Sequence, residues 1–173
     1  MALRTTDKLS PGLAAGLAVG AVVAALIVGQ RSSPRPDHPQ TQRWYRRLEK
    51  PNFTPPMPVF PIAWTSIEAA LAYGGYRLLR SGSSPERTTA LALWITNQVG
   101  IAGWSEVFFG HRSPGWGTIA SAGLGVSAVG YVVTARQTDE VASTLGVPLV
   151  AWIAFATLLS EEIWRKNETV AKS

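Results

Sequence analysis

The sequence predicts an all-α integral membrane protein, a bundle of five transmembrane helices, and three observations carry that expectation. Charge-free runs cover Pro11 to Gln30, Thr88 to Ser105, Ser113 to Ala135 and Val141 to Ser160, each close to the ~20 residues that cross a hydrocarbon core. A further run, Pro61 to Tyr76, is broken only by Glu68. The connectors GSSPER at 82–87 and HRSPG at 111–115 are short and punctuated by proline and glycine, so consecutive helices should be antiparallel neighbours. The mean hydropathy of +0.11 is low for such a chain because the polar stretch from Arg31 to Lys50 and both tails dilute it.

After an N-terminal tail at 1–10, the first helix is expected over about 11–30. Arg4 and Lys8 precede it as in a secretory signal, but GLAAGLAVGAVVAALIVG is longer than the ~7 to 15 residues of a signal's apolar core. QRSSPR also stands where small residues should mark cleavage, so a retained helix is expected. Asp7 argues against a mitochondrial transit peptide. Gly12, Gly16 and Gly20 form a G-x-x-x-G-x-x-x-G stripe that permits close helix approach, either within the bundle or in a dimer. A loop over 31–59 follows, then helices at about 60–79, 88–110, 115–135 and 146–165. The membrane domain spans 11–167, and 168–173 form a C-terminal tail.

Five crossings put the two termini on opposite faces. Arg4, Lys8, Arg77, Arg80, Arg87 and Arg136 then share one side, and the larger set, Arg31, Arg35, Arg43, Arg46, Arg47, Lys50, Arg112, Arg165, Lys166 and Lys172, the other. The positive-inside rule places the first loop and the C-terminus in the cytoplasm. The net charge of +5 is thus read as loops beside anionic headgroups, with no nucleic-acid partner. The absence of cysteine excludes disulfides, thiolate nucleophiles and cysteine-bound metals. His38 and His111 fall in loops as solvated side chains, so no metal site is expected, and no Walker or dinucleotide signature is present.

The aromatic residues gather toward the expected cytoplasmic end. Phe60, Trp64, Glu68 and Leu71 recur at helical spacing on one face, as do Asn97, Ile101, Trp104 and Phe108, while Trp152, Phe155, Ala156 and Leu159 align on the last helix. Three such faces suit an apolar cavity for a small molecule, although an interfacial aromatic belt or plain helix packing gives the same spacing. Preceding them is WYRRLEKPNFTPPMPVFPIAWT, residues 44–65, too rich in proline for a buried element.

That stretch resembles the W-Y-x-x-L-x-K-P-x-[WF]-x-P-P-x-x-V-F-x-x-x-W-T signature of the TspO/MBR family of tryptophan-rich sensory and translocator (peripheral benzodiazepine receptor) proteins. WSEVFFG at 104–110, GW at 115–116, AWIAFATLL and IWRKN within 151–167 are similar too, so the resemblance covers roughly residues 12–167. It implies a five-helix bundle, usually a homodimer, with a ligand pocket at the cytoplasmic end capped by the first loop. The proline-rich segment then looks like a lid, with Trp44, Tyr45, Pro51, Phe53, Pro55 and Pro56 as candidate ligand contacts, and Trp64 and Trp152 look like pocket-wall tryptophans. Phe60, Glu68, Asn97, Ile101, Trp104, Phe108 and Phe155 complete the candidate site. The implied ligands are porphyrins, haem-like tetrapyrroles, sterols and synthetic drugs, and no cofactor is required. The implied role is sensing, stress regulation or transport. The alternatives are a light- and oxygen-dependent porphyrin-degrading enzyme, for which no catalytic residue is assigned, and a scaffold without ligand. The membrane is a bacterial envelope membrane, the mitochondrial outer membrane or another eukaryotic one.

The chain departs from the family at three polar positions: Ile101 and Ser160 stand where asparagine is usual, and Glu68 where tyrosine is common. Asn97 is expected to substitute for the lost asparagine from one turn away. Glu68 is expected to face the pocket and meet Arg46, Arg47, Lys50 or a cationic ligand, while Glu161–Arg165 and Glu162–Lys166 form i, i+4 pairs. Glu106 is expected to reach headgroups. Two segments, LAYGGYR at 71–77 and VGYVVTAR at 129–136, fit the loose sterol formula.

Overall fold

A computed structural model describes residues 8–168, and every regular element among them is helical. Arg4, Asp7 and Lys172 lie outside the described residues. In order the elements are α1 (Pro11–Gln30), α2 (Pro39–Arg47), α3 (Val59–Arg80), α4 (Pro85–Ser105), α5 (Pro114–Arg136) and α6 (Glu140–Asn167), with a π-helical turn at Glu106–Gly110 continuing α4. Proline opens α1, α2, α4 and α5, where its missing N–H is one that no helix would use. Ser10, Ser84 and Asp139 accept the N–H groups of Leu13, Arg87 and Ala142 as N-caps.

Two boundaries differ from expectation for reasons visible in those caps. The Ser84 cap starts α4 at Pro85 rather than near 88, and the Asp139 cap starts α6 at Glu140 rather than near 146. The lid is not loop throughout, since Pro39–Arg47 is helical. A helix this short is marginal by itself, and its Tyr45 is buried against the end of α4.

The five long helices close into a ring in the order α1, α3, α6, α5, α4, each packed on its two neighbours. By length and composition α1, α5 and α6 are apolar enough to cross a membrane. The other two long helices carry interior polar residues: Glu68 on α3, and Asn97 and Gln98 on α4. Leu13, Leu17, Val23, Val126, Val133 and Leu158 point outward and are exposed, an apolar surface too broad for a water-facing protein.

Between helices surrounded by lipid, packing rather than water release holds the contact, and small residues let it close. Here glycines seat aromatic rings. Trp94 of α4 lies over Gly75 of α3, where a Cβ would come 2.5 Å from its Cζ2, and its Nε1 donates to the Leu71 carbonyl at 2.8 Å. Tyr131 of α5 lies equally close over Gly146 of α6, its hydroxyl donating to the Ala142 carbonyl at 3.0 Å. Tyr131 is therefore a core residue, and the sterol formula at 129–136 has no accessible tyrosine. By contrast, a Cβ added at Gly12, Gly16 or Gly20 would meet nothing within 4 Å, so the stripe on α1 faces outward; the inward face is Ala14, Ala18, Val22 and Ala25.

The end of the ring near the N-terminus is tied by polar contacts. Arg77 Nε donates to both Asp139 carboxylate oxygens at 2.9 and 3.0 Å. Arg87 donates to the Leu78 and Leu79 carbonyls that end α3.

Candidate functional site

At the opposite end, α3 and α6 run antiparallel and bring their aromatic faces together. The Trp152 ring lies 5.9 Å from Phe60, 6.2 Å from Trp64 and 5.5 Å from Phe155. Edge-to-face geometry dominates, which the ring quadrupoles favour. From the lid, Phe53 meets Phe155 at 6.3 Å while half its surface stays exposed. Pro51 is buried, Pro55 half-buried and Pro56 exposed. Phe60, Trp64, Trp152, Phe155 and Phe53 thus form one continuous wall from helix to lid.

A second aromatic group anchors α2. Trp104 stacks on Phe108 at 4.9 Å, and its Nε1 donates to the Gly117 carbonyl at 2.8 Å. Phe108 is buried in the notch left by Gly117. Trp44 meets Phe108 at 6.0 Å and Tyr45 meets Phe109 at 5.5 Å. The π-turn permits this double use, because its wider winding sets the adjacent rings Phe108 and Phe109 into different contacts; π-turns recur at functional sites. Trp44, Tyr45, Trp104 and Phe108 fasten the lid, and Phe60 and Phe155 of the wall pack against the same cluster.

Polar contacts fix the lid further. Lys50 Nζ donates to the Tyr45 and Leu48 carbonyls at 2.6 and 3.0 Å and sits 4.5 Å over the Tyr45 ring, capping α2. Burial lowers the Lys50 ammonium pKa and raises that of the Tyr45 hydroxyl. Glu49 N–H donates to Asn167 Oδ1 at 3.0 Å, and Asn167 Nδ2 returns a bond to the Glu49 carbonyl at 2.9 Å. Lys166 reaches Glu49 at 3.4 Å and Arg165 pairs with Glu162 at 3.1 Å, so these contacts replace the expected pairs Glu161–Arg165 and Glu162–Lys166. Glu106 accepts from Ser32 Oγ and lies 3.7 Å from His111 Nε2, which ties it to the lid's first residues.

Below the wall lie the polar residues of the interior. Glu68 is 1% exposed, Asn97 0% and Gln98 3%, and the side-chain oxygens and nitrogens of all three lack hydrogen-bond partners among the described residues. Gln98 is the polar neighbour of the Glu68 carboxyl, though no bond of normal geometry closes between them. Glu68 does not meet a lid base: Lys50 is engaged elsewhere, and Arg46 and Arg47 are exposed. Ile101 is buried one turn above Asn97. Ser160 is buried as well.

Gln98, Phe109 and Asn167 were absent from the expected site. Gln98 had a signal, a polar residue inside a charge-free run; Asn167 had none, because its partner is a lid backbone distant in sequence. A groove of about 430 Å³ between α1, α3 and α4, lined by Leu17, Ala21, Leu79 and Ile95 among others, opens outward away from the aromatic wall and is apolar. Among the described residues no group of three His, Asp or Glu could hold a metal.

The sequence profile of the TspO/MBR family matches residues 18–165. A translocator protein of Homo sapiens is 32% identical over 133 residues, 75% of this chain and 78% of that one. A tryptophan-rich sensory protein of Cereibacter sphaeroides is 33% identical over 129 residues, 72% and 77% of the two chains. The protein CrtK of Rhodobacter capsulatus is 31% identical over 128 residues, 72% and 78%.

Proposed function

The chain belongs to the TspO/MBR family, and from that premise we propose that this membrane protein binds tetrapyrroles or related flat apolar molecules between its aromatic wall and the lid. The observation that carries the reading is the unbroken aromatic surface from Trp64 through Trp152 and Phe155 to Phe53, which joins two helices to a lid segment. Flat rings offer a planar ligand large contact at low cost in side-chain entropy. Proline at 51, 55, 56 and 58 limits the freedom that the lid loses when it orders over a ligand.

In this reading all five long helices cross the bilayer, with the lid and the end of α6 on the cytoplasmic side, where the basic residues are more numerous. Porphyrin or haem is the first ligand to try and a sterol-like molecule the second. The role is sensing, stress regulation or transport, and a homodimer is the expected assembly. Porphyrin photo-oxidation rests on the family resemblance alone. The test is titration of detergent-purified protein with protoporphyrin IX, in the dark and under illumination, following tryptophan emission and the porphyrin band. Saturable quenching weakened by Trp64→Phe or Trp152→Phe supports binding at the wall; a light-dependent product supports the enzyme. No saturable quenching by this ring, whether as the free acid or with its carboxylates esterified or replaced by amines, overturns the reading.

A further inference from the structure

We propose that Glu68, with the Gln98 amide beside it, makes the floor of this site selective for flat apolar ligands that carry a cationic nitrogen such as a protonated amine. This rests on ligand binding at the aromatic wall as proposed above. Glu68 lies one helical turn from Trp64 on the same face of α3, so it stands directly beneath the wall. Among the described residues both its oxygens are buried without a partner, and so are the amide groups of Gln98 and Asn97.

The basic groups that the structure engages are committed elsewhere. Lys50 caps α2, Arg77 holds Asp139, Arg80 and Arg87 bind backbone carbonyls, and Lys166 meets Glu49. An acid at membrane depth without counter-charge is expensive, and such residues mark ligand or ion sites. Glutamine and asparagine supply dipoles but no charge, so they orient and do not neutralise. A ligand amine would bring the missing charge and donate to Glu68 and the Gln98 carbonyl together. The tryptophan faces above would favour the same cation. A ligand carboxylate inserted to this depth would instead set like charges together.

Three probes on one ring separate these cases: protoporphyrin IX with its two carboxylates, its neutral dimethyl ester, and its bis-amide with ethylenediamine, which ends in two amines. Each is titrated into the full chain in detergent, following tryptophan quenching. The expected result is that the diamine binds the wild type about tenfold more tightly than the ester, the scale of one charge-assisted hydrogen bond. Glu68→Gln should abolish that preference, so that the diamine and the ester bind the variant alike. Glu68→Tyr, which places there the residue common in the family, is the second variant should Glu68→Gln fold poorly. Equal binding of all three rings by the wild type overturns the inference while ligand binding stands. So does a preference that survives in the variants, or a Glu68→Gln effect confined to thermal stability, which would make the pair interhelical glue. No saturable binding of any ring overturns ligand binding itself, and this inference with it.

Discussion

Replacing Asn167 by alanine should loosen the lid without disturbing the bundle. The side chain makes two bonds to the lid, accepting from Glu49 N–H at 3.0 Å and donating to the Glu49 carbonyl at 2.9 Å, while a 2.7 Å bond to the Ile163 carbonyl fixes its orientation. A net intramolecular hydrogen bond is worth about 0.5–1.5 kcal/mol, and these are partly exposed, so the pair should contribute about 1–2 kcal/mol to the closed lid. That energy multiplies the open population roughly 5- to 30-fold. The neighbouring Lys166–Glu49 pair is solvent-exposed and should contribute under about 0.5 kcal/mol. Limited trypsin digestion in detergent reads this out, because Arg46 and Arg47 sit in the lid just before Glu49, while the Lys50–Pro51 bond resists trypsin. When opening is faster than cleavage, the rate of lid cutting follows the open population. Asn167→Ala should raise it by that factor, Lys166→Ala should barely change it, and Asn167→Asp, which keeps only the acceptor, should fall between. An unchanged cleavage rate in Asn167→Ala, with the helical content intact, would refute the claim that this side chain holds the lid.

Gly75→Ala should destabilise the protein by about 1–3 kcal/mol in thermal unfolding, because the new methyl meets the buried Trp94 ring and overpacking outweighs the ~1 kcal/mol of helix propensity gained. Gly16→Ala, with open space around it, should instead be neutral or stabilising by up to ~1 kcal/mol. Trp104→Phe removes the donor to the Gly117 carbonyl and should cost about 1–3 kcal/mol, while lid digestion by trypsin accelerates. Burial pushes the Asp139 carboxyl up, but the bonds from Arg77 and the Ala142 N–H outweigh it and hold its pKa below the ordinary carboxylate value. Its stabilising contribution is therefore full above the unfolded pKa of about 4 and is lost as pH falls through the lower folded value. The melting temperature of Asp139→Asn should accordingly be lower than wild type at neutral pH, with the gap closing under acid.

The helical, membrane character of the chain was legible because charge-free runs of bilayer length need no tertiary information to read. The start of α6 was legible in principle too: Thr138-Asp139-Glu140 is a capping pattern, hidden only because the charge of Glu140 resembles a loop residue. The helix at 39–47 was not legible, since a nine-residue segment lacks the length to signal itself. Its stability comes from Trp44 and Tyr45 docking on Phe108 and Phe109, which are far away in sequence. For the site, spacing grouped Phe60 with Trp64 and paired neither with Trp152, because only the packing of α3 on α6 joins them. Spacing also placed Trp104 and Phe108 with the wall, and they share a cluster with Phe60 and Phe155, while the π-turn and the Gly117 notch set them against α2 as well. The prediction of a lid base for Glu68 failed on a competition that sequence does not display: Lys50 finds its partners in the backbone of its own helix end.

The ring order does not require so long a lid. Since α1 and α3 are neighbours, a link no longer than residues 81–84, 111–113 or 137–139 would serve to join them, yet residues 31–58 are used. The surplus chain is unnecessary for closing the bundle, and long connections in compact folds are usually retained for what they cover. Barrel and cover are thus separable parts of one polypeptide. A chain with a short turn in place of residues 31–58 should still assemble its ring of helices, and would present the tryptophans of α3 and α6 as an open mouth.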